Sequence, residues 1–206
     1  MNELLSSTAA ALRNRGFEAD VFATAKEAAD FVRRDIAAGA EVTFGGCMTA
    51  KQMNLDTLLR EDGHTVNWHW DVAPAERGAL LHRVMTSPYY VCSANAITED
   101  GLMVNIDGTG NRVAAMCFGP NTVYVLIGRN KIVSGGYAQA VKRCKQFACP
   151  QNARRYNMDT PCAKEGGSCN SAECKNSLCH AFLALERKPN GIPNMKVLLI
   201  DVELGY

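Results

Sequence analysis

The chain has 206 residues, 47% of them hydrophobic, and a formal net charge of +1. This length and composition predict one soluble globular domain, and the near balance of charge argues against a nucleic-acid-binding surface. No apolar run approaches the ~20 residues of a membrane span, and the first residues lack the apolar core of a secretory signal. We therefore expect a cytoplasmic protein without nucleic-acid or membrane partners.

Helix-like and strand-like segments alternate along the first half of the chain, which is typical of α/β folds. Residues 2–15 predict a helix and residues 17–22 a strand. Thr24 is a candidate N-cap, with Glu27 as its capping-box partner, for a helix that runs to residue 38.

A glycine loop follows the next predicted strand, residues 41–44, and leads into an amphipathic helical segment. Free N–H groups at the start of a helix bind anions. We expect the loop to contact a small anion through four residues, Gly46, Cys47, Met48 and Thr49. A purely structural turn is the alternative interpretation, because a glycine pair before a helix is a common feature.

The segment SANAITEDGLMVNIDGTGNR, residues 93–112, mixes apolar residues with glycines and small polar ones. Predicted strands at 89–92 and 102–106 bracket a turn, and a glycine loop at 107–110 follows. We interpret the segment as part of a ligand pocket, and a tight hairpin without a ligand is the alternative. The candidate ligand-binding residues here are Asn95, Asn105, Gly108, Thr109, Gly110 and Asn111, and Asp107 is a candidate catalytic residue.

The β-branched run at 122–127 predicts a strand that is buried on both faces, as in a parallel sheet. Lys131 lies just past the end of this strand, where open α/β sheets bind ligands, and it is the cationic candidate for the site. A helix is predicted over 134–147 and a last strand over 195–202. Strands near Val42, Val91, Val125 and Val197 should form a mostly parallel sheet with helices on both faces.

The run SANAITEDGLMVNIDGTGNRVAAMCFGP, followed by VYVLIGRNKIV, resembles the LUD domain of the bacterial lactate-utilisation family. The resemblance extends back to GGCMT and forward through CPQNARR to the closing LGY, so it implies a single domain over residues 1–206. Cys47 stands where the family usually has serine. A Rossmann-like three-layer α/β fold with a mostly parallel sheet is implied, together with a part in oxidising L-lactate to pyruvate or in binding a small carboxylate or phosphate.

The arrangement also resembles, more distantly, the superfamily of sugar-phosphate isomerases and CoA transferases. Asn95 takes the place of the isomerase branch's catalytic aspartate, and an asparagine cannot act as a general base. Asp107 and Lys131 are therefore the candidate catalytic residues. The resemblance implies an enzyme that passes electrons to iron-sulfur partner proteins; a non-catalytic ligand-binding or regulatory subunit is the alternative, and either could be a homodimer.

The segment 149–180, expected as an insertion before the last strand, holds a second group of chemically active residues. Its cysteines Cys162, Cys169, Cys174 and Cys179 are separated by six, four and four residues. Four thiolates in one loop predict a structural Zn²⁺ site, with an iron-sulfur cluster or free thiols as alternatives. Cys149 and His180 are reserve ligands.

Overall fold

Two β-sheets organise the chain, and a computed structural model describes its residues 2–206. The strands are β1 (Glu18–Phe22), β2 (Glu41–Phe44), β3 (Thr65–Trp68), β4 (Tyr89–Cys92), β5 (Ala96–Thr98), β6 (Met103–Asp107), β7 (Thr122–Gly128), β8 (Ile132–Val133), β9 (Ala181–Leu185) and β10 (Asn194–Ile200). The helices are α1 (Glu3–Asn14), α2 (Ala25–Asp35), α3 (Met48–Gln52), α4 (Leu55–Glu61), α5 (Pro74–Arg83), α6 (Asn111–Cys117), α7 (Tyr137–Arg143) and α8 (Cys149–Arg155).

The larger sheet has six parallel strands in the order β1-β10-β7-β4-β2-β3. Every residue of the central strand β7 is buried, as expected for a parallel sheet covered on both faces. The predicted strands around Val42, Val91, Val125 and Val197 all lie in this sheet, which confirms the predicted α/β class.

Alternate residues of β7 enter two different cores. Val125 packs on the side of α1, α6 and the second sheet, whereas Leu126 packs on the side of α2 and α4. Helices therefore cover both faces of the parallel sheet, and the Rossmann-like three-layer arrangement is confirmed.

The sequence did not predict the second sheet, which has four strands in the order β8-β5-β6-β9. Its β5 and β8 are parallel, and its other neighbours are antiparallel. Ala140 of α7 and Cys144 cover its outer face against Val104 and Ile106. The cysteine-rich segment ends directly before β9, so β9 separates it from the last strand β10.

The helix ends follow local sequence signals, except at the end of α2 and at both ends of the helix predicted over 134–147, which begins as α7 at Tyr137. The capping box of Thr24 and Glu27 is present, but α2 ends at Asp35 because Ile36 adopts an extended backbone and buries its side chain. The helix predicted to end at residue 147 continues through a π-helical turn into α8. Pro150, in the first turn of α8, lacks the N–H of a regular helix, and a π turn accommodates that loss. No helix within residues 2–206 combines the length and apolarity needed to cross a bilayer.

Candidate functional site

A cavity of about 430 Å³, here called the central cavity, lies at the carboxyl edge of the parallel sheet. The loops that follow β2, β4 and β7 reach it, which is where open α/β sheets place ligands. The second sheet contributes the glycine loop after β6. Nine predicted site residues line the cavity: Gly46, Cys47, Met48, Asn95, Asp107, Gly108, Thr109, Asn111 and Lys131.

Three predicted site residues do not line the central cavity. Thr49 lies behind Lys131 and accepts a hydrogen bond from its Nζ. Gly110 is the residue before α6, with a left-handed φ of 88° that favours glycine. Asn105 is fully buried, and neither polar atom of its amide has a hydrogen-bond partner among residues 2–206.

The glycine loop after β2 places a thiol at the start of α3. Cys47 Sγ accepts a hydrogen bond from the Ala50 N–H at 3.3 Å. Burial raises the pKa of the Cys47 thiol, so the group is neutral at pH 7. Because α3 has only five residues, its dipole contributes little, and charged side chains dominate the field in the cavity.

Lys131 is only 2% exposed although it carries an ammonium group. Its Nζ donates to Thr49 Oγ1 at 2.9 Å and to Ser93 Oγ at 2.7 Å. Burial lowers its pKa to about 7. With two N–H groups engaged, the remaining position on Nζ carries a proton in the ammonium form and a lone pair in the amine form. Lys131 can therefore give or take a proton near neutral pH.

Arg112, in the first turn of α6, ties the two loops of the site together. Its guanidinium donates to the carbonyl oxygens of Ser93 and Ile106 and to Asn95 Oδ1, each at 2.8 Å. It also lies 3.5 Å from Asp107 Oδ2. Asn95 Oδ1 additionally accepts the Ile106 N–H. The Asn95 oxygen is thus occupied, and its NH₂ group is the half that can donate to a ligand.

The candidate site residues named from the sequence did not include four basic side chains of the site. Arg77, Arg112, Arg155 and His69 line the central cavity. Arg155 stacks over Tyr156 at 3.9 Å and over Trp70 at 4.6 Å from the ring centroids. Burial lowers the pKa of His69, so its imidazole is neutral at pH 7. No local signal marked Arg77 or Arg155, because the fold alone brings them to the site, whereas Arg112 ends the segment 93–112 that was interpreted as part of the pocket.

The cavity is strongly cationic. Four basic side chains line it, those of Arg77, Arg112, Lys131 and Arg155, against the single acidic side chain of Asp107 among the described residues. Asp107 Oδ1 accepts the Gly110 N–H at 3.0 Å. Since Arg112 offsets the charge of Asp107, the other cations leave the cavity with an excess of positive charge.

Gly205 closes the back of the site, beside Lys131. Its φ is 63°, and an added Cβ would lie 2.5 Å from Thr49 Oγ1 and 2.8 Å from Lys131 Nζ.

We expect Gly205→Ala to lower the free energy of unfolding by about 1 to 3 kcal/mol, measured by urea denaturation. Gly78→Ala is the control: Gly78 lies within α5 with nothing within 4 Å of an added Cβ, so alanine should stabilise by about 1 kcal/mol. Equal stability of Gly205→Ala and wild type would contradict the close packing.

A second cavity of about 350 Å³, here called the cysteine cavity, lies beside the first. All four cysteines of the predicted metal site line it, and so does the reserve ligand Cys149, whereas His180 does not. The nine cysteines are free thiols. Within residues 2–206, no three His, Cys, Asp or Glu side chains stand close enough together to hold one metal ion.

Comparison with known proteins agrees with this architecture. A family model described as LUD domain matches residues 5–200. The structure is similar to that of a DUF162 family protein from Deinococcus radiodurans, with a TM-score of 0.54, 10% sequence identity and 96% of each chain covered. At this identity the likeness shows the fold alone. The similarity to eIF2B beta from Chaetomium thermophilum is weak, with a TM-score of 0.38, 12% identity and coverage of 57% of this chain and 45% of that one. No curated protein matches the sequence.

Proposed function

The chain belongs to the LUD domain family, which relates it to lactate utilisation, and from that premise we propose that the central cavity binds a small 2-hydroxy or 2-oxo carboxylate such as L-lactate or pyruvate. The observation that carries the proposal is the excess of basic side chains in one cavity at the carboxyl edge of the parallel sheet. Three arginines, Lys131 and the side-chain carboxylate of Asp107 line about 430 Å³, a volume within the range of small-molecule sites.

Asp107 favours a carboxylate over a phosphate. Its side chain lies in the same cavity as the cations, so it repels a doubly charged phosphate more strongly than a singly charged carboxylate. A hydroxyl group next to the carboxylate can donate to Asp107, while the carboxylate accepts from the Asn95 NH₂ and from Arg155. Lactate has both groups on neighbouring carbons.

Lys131 supports catalysis as well as binding. Oxidation of lactate to pyruvate removes two protons and two electrons. Lys131 in its amine form would accept the hydroxyl proton through the lone pair that Thr49 and Ser93 leave free. The C2 proton and both electrons would pass to an acceptor on partner proteins of the iron-sulfur class. A ligand-binding subunit without turnover is the second candidate, and an assay with L-lactate and an artificial electron acceptor separates the two.

Titration calorimetry tests the binding site. Arg155→Gln removes one cation from the cavity wall without removing a core side chain, because Arg155 is exposed. We expect it to weaken the binding of L-lactate or pyruvate about three- to tenfold, because a partly solvated charge contributes up to about 1 kcal/mol or slightly more.

Arg34→Gln is the matched control, because it removes the same charge from an exposed position in α2 away from the cavity. It should leave the affinity unchanged. The proposal fails if wild-type protein binds neither carboxylate at millimolar concentration, or if Arg155→Gln and Arg34→Gln bind both with wild-type affinity. Tighter binding of inorganic phosphate than of either carboxylate would also count against it.

A further inference from the structure

The hydrogen bonds around Lys131 fix the direction of its lone pair. Ser93 Oγ donates to the carbonyl oxygen of Leu126 at 2.6 Å, and Thr49 Oγ1 donates to that of Leu204 at 3.5 Å. Each hydroxyl has a single proton, so with that proton on a carbonyl oxygen it can only accept from Lys131 Nζ. Both N–H groups of the amine are therefore engaged, and the lone pair takes the remaining position on the nitrogen. Since Lys131 lines the central cavity, this position is the one that a ligand can meet.

Lys131 has the properties of a lysine that attacks carbonyl carbon. Its residue is 2% exposed, and this burial lowers its pKa to about 7, with the guanidinium groups of Arg143 and Arg112 acting in the same direction. About half of the molecules therefore carry the amine at pH 7, against about one in three thousand for a lysine with a pKa of 10.5. Lysines that form Schiff bases are activated by burial or by a neighbouring cation. Both causes act on Lys131.

One short loop holds the nitrogen and also offers a donor to a carboxylate. This loop, residues 93–95 between β4 and β5, includes Ser93, which accepts from Lys131 Nζ at 2.7 Å. It also includes Asn95, whose NH₂ group can donate to a ligand because its oxygen accepts from Arg112. Both loop residues line the central cavity. In a 2-oxo acid the carbonyl carbon C2 is bonded to the carboxylate, so a carboxylate on Asn95 places C2 on the side of the cavity where Lys131 lies.

We infer that Lys131 forms a Schiff base with a 2-oxo acid such as pyruvate, an activity distinct from the oxidation of lactate. The nitrogen lone pair forms the bond to C2, and the π electrons of the carbonyl group move to its oxygen. The oxygen then leaves as water with the two hydrogens of the amine. A C=N bond replaces the C=O bond, so the step is reversible and consumes no oxidant or reductant. The inference rests on the proposed binding of a 2-oxo carboxylate, which supplies the carbonyl group.

Reduction with sodium borohydride tests the inference, because it converts the C=N bond into a stable secondary amine. The full chain, incubated with pyruvate and then reduced, should gain the mass of one pyruvic acid less one oxygen atom. Peptide mapping of wild-type protein should place this mass on Lys131, a result that needs no variant. L-Lactate, which has no carbonyl at C2, should give no adduct. Lys131→Met should lose the adduct, and Lys142→Met, at an exposed position of α7, should keep it.

The outcomes separate the Schiff base from the carboxylate site. Titration calorimetry of the same protein reports pyruvate binding whether or not a covalent bond forms. If pyruvate binds and reduction leaves the mass of Lys131 unchanged, the Schiff base is excluded and the carboxylate site stands. An adduct spread over exposed lysines, as abundant in Lys131→Met as in wild type, would also overturn the inference. If neither pyruvate nor L-lactate binds, the proposed function fails and the inference fails with it.

Discussion

Replacing Arg112 by alanine is expected to lower the free energy of unfolding by about 3 to 5 kcal/mol and to abolish ligand binding. The guanidinium is nearly buried and donates hydrogen bonds to the carbonyl oxygens of Ser93 and Ile106 and to Asn95 Oδ1. Its loss leaves buried acceptors without donors and the Asp107 carboxylate without its cation. For a chain of this size the thermal midpoint should fall by roughly 10 °C, measured by scanning calorimetry.

A double-mutant cycle separates the charge from the hydrogen bonds. In the Arg112→Ala background, Asp107→Asn removes the uncompensated carboxylate. The double variant should therefore lose about 1 to 3 kcal/mol less free energy of unfolding than the two single variants lose in sum. Arg129→Ala is the control, because Arg129 is half exposed and its contacts to Asp201 and Glu203 are long. It should cost no more than about 1 kcal/mol. Strict additivity in the cycle would mean that Arg112 does not stabilise Asp107.

Most of the parallel sheet could be predicted from the sequence, because five of its six strands carry a local signal, whereas β3 was not predicted. The bounds of β2 and β4 are those predicted, since short β-branched and aromatic runs end at turn residues. In the second sheet only β6 was predicted, as the strand at 102–106, and the other three strands carry no comparable signal. β8 has two residues and β5 three, and β9 alternates between exposed and half-buried positions. Such strands are fixed by partners distant in sequence, which periodicity does not reveal.

Site residues could be predicted where they lie close together in the sequence. They could not be predicted where only the tertiary structure brings them together. Asn95 and Asp107 could be named because glycine turns surround them in one segment. Arg155 could not, because it lies at the end of α8 and reads in sequence as a solvated helix residue. Asn105 was named on composition, but its strand β6 is covered on both faces, so the side chain is buried away from the cavity.

Lys131→Met is expected to remove a pH dependence of ligand affinity that wild-type protein should show. With a pKa of about 7, Lys131 is charged at pH 6 and largely neutral at pH 8. Wild-type affinity for L-lactate should therefore fall about fivefold or more over this interval, which corresponds to the lower end of the free energy of a charge-assisted hydrogen bond. The affinity of the variant should be weak and should not change with pH. Lactate is a suitable probe because its carboxylate stays ionised throughout, whereas a phosphate ester titrates near pH 6.

The stability of the ligand-free protein should change with the opposite sign. Between pH 7 and the ordinary lysine pKa of 10.5, the unfolded chain binds a proton that the folded chain does not, so wild-type stability should rise with pH, by up to about 1.4 kcal/mol per unit. Below pH 7 both states are protonated, and the fold bears the full cost of a buried ammonium. Lys131→Met should therefore be more stable than wild type at pH 6. The difference should be about 1 to 3 kcal/mol once the loss of the two hydrogen bonds of Lys131 is subtracted, and it should shrink toward pH 10.

Lys142→Met, at an exposed position of α7, should follow the wild-type curves in both urea denaturation and calorimetry. If Lys131→Met follows them too, Lys131 neither titrates near pH 7 nor contacts the ligand.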